Sequence, residues 1–536
     1  MLSIFTVALH KQPISARNSL WRSTALLVFS FFFFFFPFPF SPLASSPVSP
    51  KTAAATTAAT LPTKSFAYNS NCANAYRALL ALQITKGHTL IQAEKQQNPN
   101  NAMPVLLENY ADILRVYVAE SKADFEQWQT NKNKRLETLA NTTDKQSPYY
   151  RYAQAEINLQ WAFARLKFEQ YYTAFWEVRR AYKLLEENRR LFPDFYPNLK
   201  SLGLIHALIG TIPDQYKWGV KILGIEGNIA QGMGELQDFL DQAQQNDRQF
   251  YEEGRLIYIF LMAYLQNNTA EAYQLSTQLS TQNHVLNTFV AANMAFRAGQ
   301  NDRAIQLLEQ RPTDPTVFDF PYLDFMLGSY KLNRLDIDAN VYLQRFLNRF
   351  KGRNFVKDAY QRMAWHSLLQ DEQEGYLLYM GLCETKGSAT NDSDRQALKA
   401  AQSGRMPHKK LLKARLLYDG GYYHAALKTM NALDAESLKN TEHRLEYEYR
   451  YGRICEHTGQ TDEALSRYKK VLDMDKNSGY YFAPKSCLQM ALLFEQQNNK
   501  VAARQYFKQC FEFKNYDYKN SIEQQAKAGL LRIGQP

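Results

Sequence analysis

Cysteine is scarce in this chain. Five of 536 residues are Cys (Cys72, Cys383, Cys455, Cys487 and Cys510), and no two stand at metal-ligand spacing. That excludes a zinc site or a disulfide frame as the organising device. Cys455 and Cys510 fall on helical packing positions and read as small core residues. Cys72 lies far beyond the apolar N-terminal segment and follows Ser70 and Asn71, so it does not read as a lipid-bearing cysteine. Catalytic signatures are missing as well. There is no His-Glu-x-x-His, no Gly-x-Ser-x-Gly, no P-loop and no dinucleotide glycine pattern after a strand. No catalytic residue, metal or cofactor is expected. Runs of β-branched residues are absent, which argues against a sheet. The chain carries a net charge of +11, but its Lys and Arg are interspersed with Asp and Glu. Without a basic block there is no nucleic-acid stripe.

Acidic residues are missing before Glu94. Lys11, Arg17 and Arg22 precede an apolar stretch from Ala25 to Phe40, and Ala44, Ser45 and Ser46 follow it. This order of basic, apolar and small residues is that of a secretory signal over residues 1–46. Pro37, Pro39 and Pro42 disfavour a straight spanning helix, and the stretch barely reaches across a bilayer, so a membrane anchor over 24–43 is the alternative. The expectation is export to the periplasm or cell envelope. Residues 47–70, rich in Pro, Thr and Ala, read as a flexible tether.

From Asn71 onward apolar residues recur at helical spacing. The clearest unit is Arg444 to Asp475. Tyr451, Gly452 and Cys455 share one helical face, and Ala464, Tyr468 and Val471 share another. Gly459 supplies a left-handed turn between them, and Thr461 or Asp462 can cap the second helix. Ala414, Gly452 and Ala491 occupy one slot, about 38 residues apart. Gly421, Gly459 and Asn498 fall in the matching turns. Ala426, Ala464 and Ala503, then Met430, Tyr468 and Phe507, fill the second helices. Small residues let paired helices approach closely, and the large ones fill the groove toward the next pair.

This order of residues resembles the tetratricopeptide repeat. The resemblance implies an all-α, right-handed solenoid of antiparallel helix pairs, whose first helices line a concave surface that holds a protein or peptide partner. Phe192 to Asp214 is also similar to a run in exported bacterial repeat proteins. Ile222 to Leu236 resembles, distantly, a run in tetratricopeptide-repeat-domain-39-type proteins, with Ile225-Glu226 where those have Phe-Ser. Neither resemblance implies an activity.

Three repeat regions are expected, over 71–245, 246–405 and 406–536, the last with a cap helix over 520–533. Residues 71–97 read as helical with a turn at Gly87, 355–383 as helical with Ala359, Ala364 and Trp365, and 387–405 as a polar loop with some helical potential. Asp419 to Tyr423 reads as a turn between helices. Glu446, Glu448 and Glu456 read as a solvated face, and His206, inside an apolar run, as a hydrogen-bonded core histidine. Tyr447, Tyr449, Arg450 and Arg453 are the candidate partner-binding residues, offering stacking and carboxylate contacts on the concave side. The leading reading is a non-enzymatic exported scaffold with a protein partner and no nucleic acid. A second is a glycan- or solute-binding envelope protein using Trp128 and Trp218. A third is an enzyme centred on His206 and Asp214.

Overall fold

The computed structural model describes residues 64–142, 144–212, 224–475 and 478–534. The expected signal or anchor, the first part of the tether, Asp214 and Trp218 lie outside the described residues. Among those residues there are 24 α-helices and no strand, with one isolated bridge between Ser65 and Asn101. Sequential helices pack as pairs. They are α1 (Ser70–Leu80) with α2 (Ile84–Gln97), α3 (Met103–Ala119) with α4 (Lys122–Thr142), and α5 (Pro148–Lys167) with α6 (Tyr171–Leu191). Next come α7 (Pro197–Ile209) with α8 (Ile229–Gln245), α9 (Tyr251–Leu265) with α10 (Thr269–Thr277), and α11 (Val285–Arg297) with α12 (Asn301–Glu309). Then follow α13 (Tyr322–Arg334) with α14 (Ala339–Arg349), and α15 (Val356–Leu369) with α16 (Gln373–Thr385). A single helix, α17 (Asp392–Gln402), precedes α18 (Lys409–Asp419) with α19 (Tyr423–Asn431). The chain ends with α20 (Thr441–His457) and α21 (Thr461–Met474), α22 (Phe482–Gln496) and α23 (Lys500–Gln509), and α24 (Lys519–Arg532).

First helices also touch the first helices of the next pairs, in the series α1, α3, α5, α7, α9, α11 and again in α18, α20, α22, α24. That layering makes an all-α helical-repeat fold. One continuous apolar core runs from Cys72 to Met363. Beyond it come smaller successive cores, each shared by neighbouring pairs, as a quasi-one-dimensional stack requires. The C-terminal pairs curve back toward α17. Lys399 of α17 pairs with Asp517, and Arg405 pairs with Glu442 at 2.8 Å.

The repeat slots hold in detail. Gly421, Gly459 and Asn498 all have positive φ, and the expected alanine and large-residue positions are fully buried. A Cβ on Gly452 would lie 2.7 Å from the Tyr468 ring, and one on Gly529 would lie 2.2 Å from Phe507, so α24 repeats the same contact. Cys455 and Cys510 are buried thiols, and the segment from Asp419 to Tyr423 is an interhelix turn. Thr461 is the first residue of α21, which begins without a side-chain cap.

One local expectation is corrected and two are refined. The first break falls at Leu82, with φ 60°, while Gly87 lies inside α2 against Leu79. Residues 355–383 form two helices, α15 and α16, interrupted at Asp371 with φ 63°. The helical potential of the polar stretch 387–405 is realised in α17. In the first two cases the backbone turns at a non-glycine residue, so no glycine marks the break, whereas Gly387 and Gly404, both at positive φ, flank α17.

Gly452→Ala is expected to cost about 1–3 kcal/mol through overpacking on Tyr468. Gly459→Ala has nothing within 4 Å to meet, but it sits at φ +77°, and should lose only about 1 kcal/mol to backbone strain. Urea unfolding of both variants separates the two effects. Equal losses would remove close packing as the role of Gly452.

Candidate functional site

The four residues singled out on α20 are all buried, but not together. Tyr449, Arg450 and Arg453 share the face toward α22, whereas Tyr447 turns into the core with Leu411, Tyr418 and Met430. The Tyr449 ring packs against Tyr468, Tyr481 and Phe482. Arg450 Nε donates to Glu446 Oε1 at 2.6 Å. Arg453 Nη2 donates to the Tyr418 hydroxyl at 3.1 Å. Its Nη1 lies 3.0 Å from Glu456 Oε2 without hydrogen-bond geometry, and that oxygen already accepts from Tyr468 at 2.7 Å. Glu448 pairs with Arg467 at 3.0 Å. Glu446, Glu448 and Glu456 are therefore half-buried and each beside an arginine, which corrects the reading of a solvated face.

Lys485 of α22 joins this group and was missed from sequence. It sits in the apolar run from Phe482 to Leu493, where one lysine looks like a helix-surface residue. Here it is 5% exposed, with no carboxylate within 4 Å among the described residues. Burial first, and the neighbouring Arg453 second, push its pKa down to about 7, against smaller opposing contributions from Cys510 and Glu456.

A second charged group lies in the N-terminal core. Lys200 of α7 is fully buried. Its ammonium donates to Glu156 Oε2 at 3.0 Å and Glu253 Oε2 at 2.6 Å. The Tyr110 hydroxyl lies 2.8 Å from Glu253 and 3.1 Å from Glu156, Tyr76 donates to Glu253 at 3.2 Å, and Ser201 donates to Glu156. Burial alone would lower the lysine pKa, but the two carboxylates outweigh it and hold the ammonium above its usual range. Five helices, α1, α3, α5, α7 and α9, meet at this point. With the ammonium shut off from solvent and every carboxylate engaged, the group ties helices together and offers no reacting face.

His206 is buried, with Nδ1 2.5 Å from Glu235 Oε2 and 3.0 Å from Gln231 Nε2. This is the hydrogen-bonded core histidine expected. Trp128 is half-buried beneath Arg115, whose guanidinium lies 5.5 Å from the ring. Two exposed aromatics stand close together on α6, where Tyr172 is 66% exposed and Trp176 42%; Phe511 and Tyr518 are exposed near the C-terminus. A groove of about 370 Å³ runs along this helix, lined by Trp176, Arg179, Arg180, Lys183, Leu184 and Glu187. Glu187 is taken by Arg151 at 2.9 Å, and Arg179 lies over the Trp176 ring. Arg180, Lys183 and Arg190 are exposed and have no carboxylate within 4 Å among the described residues. Sequence periodicity found the inner face of α6, with Ala174, Ala181 and Leu185 buried, but gave no reason to expect two large aromatics outside.

Among the described residues no cluster of three metal-ligating side chains occurs, and no helix is long and apolar enough to cross a membrane. No family model and no curated protein matches the chain. Among solved structures one match is "Structure of Naa15/Naa10 bound to HypK-THB". It has 14% identity and a TM-score of 0.23, over 86% of this chain. The chain spans 66% of that chain's length.

Proposed function

We propose that this chain is a non-enzymatic helical-repeat scaffold that holds a protein partner, with the outer face of α6 as a contact surface and an acidic segment as the matching chemistry. The observation that carries this reading is Tyr172 and Trp176 standing exposed beside Arg180, Lys183 and Arg190. Exposed Trp, Tyr and Arg are the residues that dominate protein interfaces, and uncompensated cations favour a partner of opposite charge. The four residues expected on a concave face are buried, so they offer no open surface to a partner chain.

The test is in-cell crosslinking and capture of the full-length protein, wild type against Trp176→Ala/Arg180→Glu/Lys183→Glu. These side chains are exposed or partly exposed, so the variant's melting temperature should stay near that of wild type. One dominant protein, crosslinked at α6, is expected with wild type and reduced about ten-fold in the variant. Equal recovery from both would remove α6 as the surface. Wild-type binding to anionic vesicles, with no crosslinked protein, would replace the partner with a membrane.

The basic, apolar and small residues over 1–46 support export to the periplasm or cell envelope, with anchoring through 24–43 as the alternative. Amino-terminal sequencing of the protein recovered from soluble and membrane fractions decides between them. The glycan-binding reading would place sugar stacking on Trp176, and loss of glycan retention in Trp176→Ala is its readout.

A further inference from the structure

Burying a cation without a counter-charge is costly, because its hydration is lost and nothing replaces it. The C-terminal pairs contain one such group, Lys485, next to Arg453, whose one close carboxylate is Glu456 at 3.0 Å from Nη1. Arg453 is 3% exposed, yet its Nε and Nη1 make no hydrogen bond. Lys485, 5% exposed on the adjacent helix, has no anionic partner. The nearby carboxylates leave Lys485 without a partner, and Glu456 reaches Arg453 only at Nη1, without hydrogen-bond geometry. Glu446 is engaged by Arg450, and Glu456 by the Tyr468 hydroxyl. These groups stand on α20 and α22, two first helices in direct contact, so their spacing is set by the repeat packing.

We propose that Arg453 and Lys485, with Arg450 beside them, form a binding site for a small oxyanion, a carboxylate or a sulfate- or phosphate-type group, between α20 and α22. The chemistry is that of charge-assisted hydrogen bonds. Arg453 Nε and Nη1, which make no hydrogen bond although Nη1 lies 3.0 Å from Glu456, and the Lys485 ammonium would each donate to an anionic oxygen, and such bonds are about twice as strong as neutral ones. The narrow residual exposure selects for a small group, either a free ion or one carboxylate reaching in from a partner. The site stands on different observations from the α6 surface, and neither reading needs the other.

An occupied site also changes Lys485. Arg453 and Glu456 face it from α20 and Cys510 from the end of α23, with His457 one step away through Tyr418. An anion adds the missing negative charge and favours the ammonium, so binding should tighten as pH falls through about 7. Sulfate is the suitable probe, since it does not titrate in this range.

The experiment is isothermal titration and thermal melting of the full-length protein with sodium sulfate, against sodium chloride at equal ionic strength, at pH 6 and pH 8.5. Wild type is expected to bind sulfate saturably and more tightly at pH 6. Lys485→Met should weaken that binding about ten-fold or more and flatten its pH dependence, while Lys485→Arg keeps it. Without sulfate the Met variant should melt no lower than wild type, because an unpaired buried cation has been removed. If sulfate behaves as chloride does, or if Lys485→Met binds sulfate as wild type does at both pH values, the site does not exist. An acidic peptide that displaces sulfate identifies a partner carboxylate as the natural occupant. Sulfate binding that the peptide leaves intact identifies a free oxyanion.

Discussion

Lys200→Met is expected to lower the unfolding free energy by about 3–5 kcal/mol, the usual loss when one partner of a buried ion pair is removed. Lys200 is fully buried and is the only cation within salt-bridge distance of Glu156 and Glu253 among the described residues. Met fills nearly the same volume, so the loss does not come from a cavity. It comes from two carboxylates left in a dry core, both in contact with the Tyr110 hydroxyl. In wild type, burial pushes Glu253 up, but Lys200 outweighs it and holds the carboxyl below its usual range. Its stabilising contribution is therefore present above the unfolded pKa and is lost as pH falls through the folded one. In the variant the sign reverses. Carboxyls without their cation have raised folded pKa values, so the deficit should grow as pH rises and shrink toward acid. Urea unfolding at pH 5 and pH 8 reads the variant's deficit, and a further series below about pH 4 reads the wild-type loss. The triple variant with Glu156→Gln and Glu253→Gln should recover much of the loss, since no buried charge remains. A single variant as stable as wild type at pH 8 would show that the ion group contributes nothing net.

The same group shows where sequence reading stops. Tyr76, Tyr110, Glu156, Lys200 and Glu253 each look like one polar residue in an apolar helical run, and the closest contact among them joins Lys200 to Glu253, 53 positions along the chain. Nothing local announces that they meet. The repeat slots were legible for the opposite reason. Gly452 and Tyr468, or Ala414 and Ala426, are bound by a packing rule that acts within one hairpin, so the small and large residues recur at readable intervals. Helix ends were legible at Gly421 and Gly459 but not at Leu82 or Asp371, where a non-glycine residue takes the left-handed conformation. At the candidate site, Arg450 and Arg453 were found because they lie in the clearest repeat. Lys485 was not, because its position against Arg453 depends on how α22 stacks on α20. The outer face of α6 was hidden in another way. Periodicity marks the face that is buried, and says little about an aromatic left outside it.

Gly232→Val is expected to cost about 3 kcal/mol or more, through overpacking against backbone rather than side chain. The stretch from Pro193 to Leu236 holds seven glycines. In the fold two of them are where α7 and α8 cross. A Cβ on Gly232 would lie 2.3 Å from the Ala207 nitrogen and 2.4 Å from the Gly203 carbonyl, and a Cβ on Gly203 would lie 2.7 Å from the Gly232 carbonyl. A flexible side chain can give way by a rotamer change, but a helix backbone moves only as a unit. Parting α7 from α8 would uncover Ile205 and Leu236, and would draw Glu235 away from His206. The neighbouring Gly234 supplies the internal control. It lies on the exposed side of the same helix with nothing within 4 Å, so Gly234→Ala should stabilise by about 0.5–1 kcal/mol through helix propensity. Two substitutions two residues apart then carry opposite signs. If Gly232→Val and Gly234→Ala shift the urea midpoint in the same direction, the close crossing of α7 and α8 is not what these glycines serve.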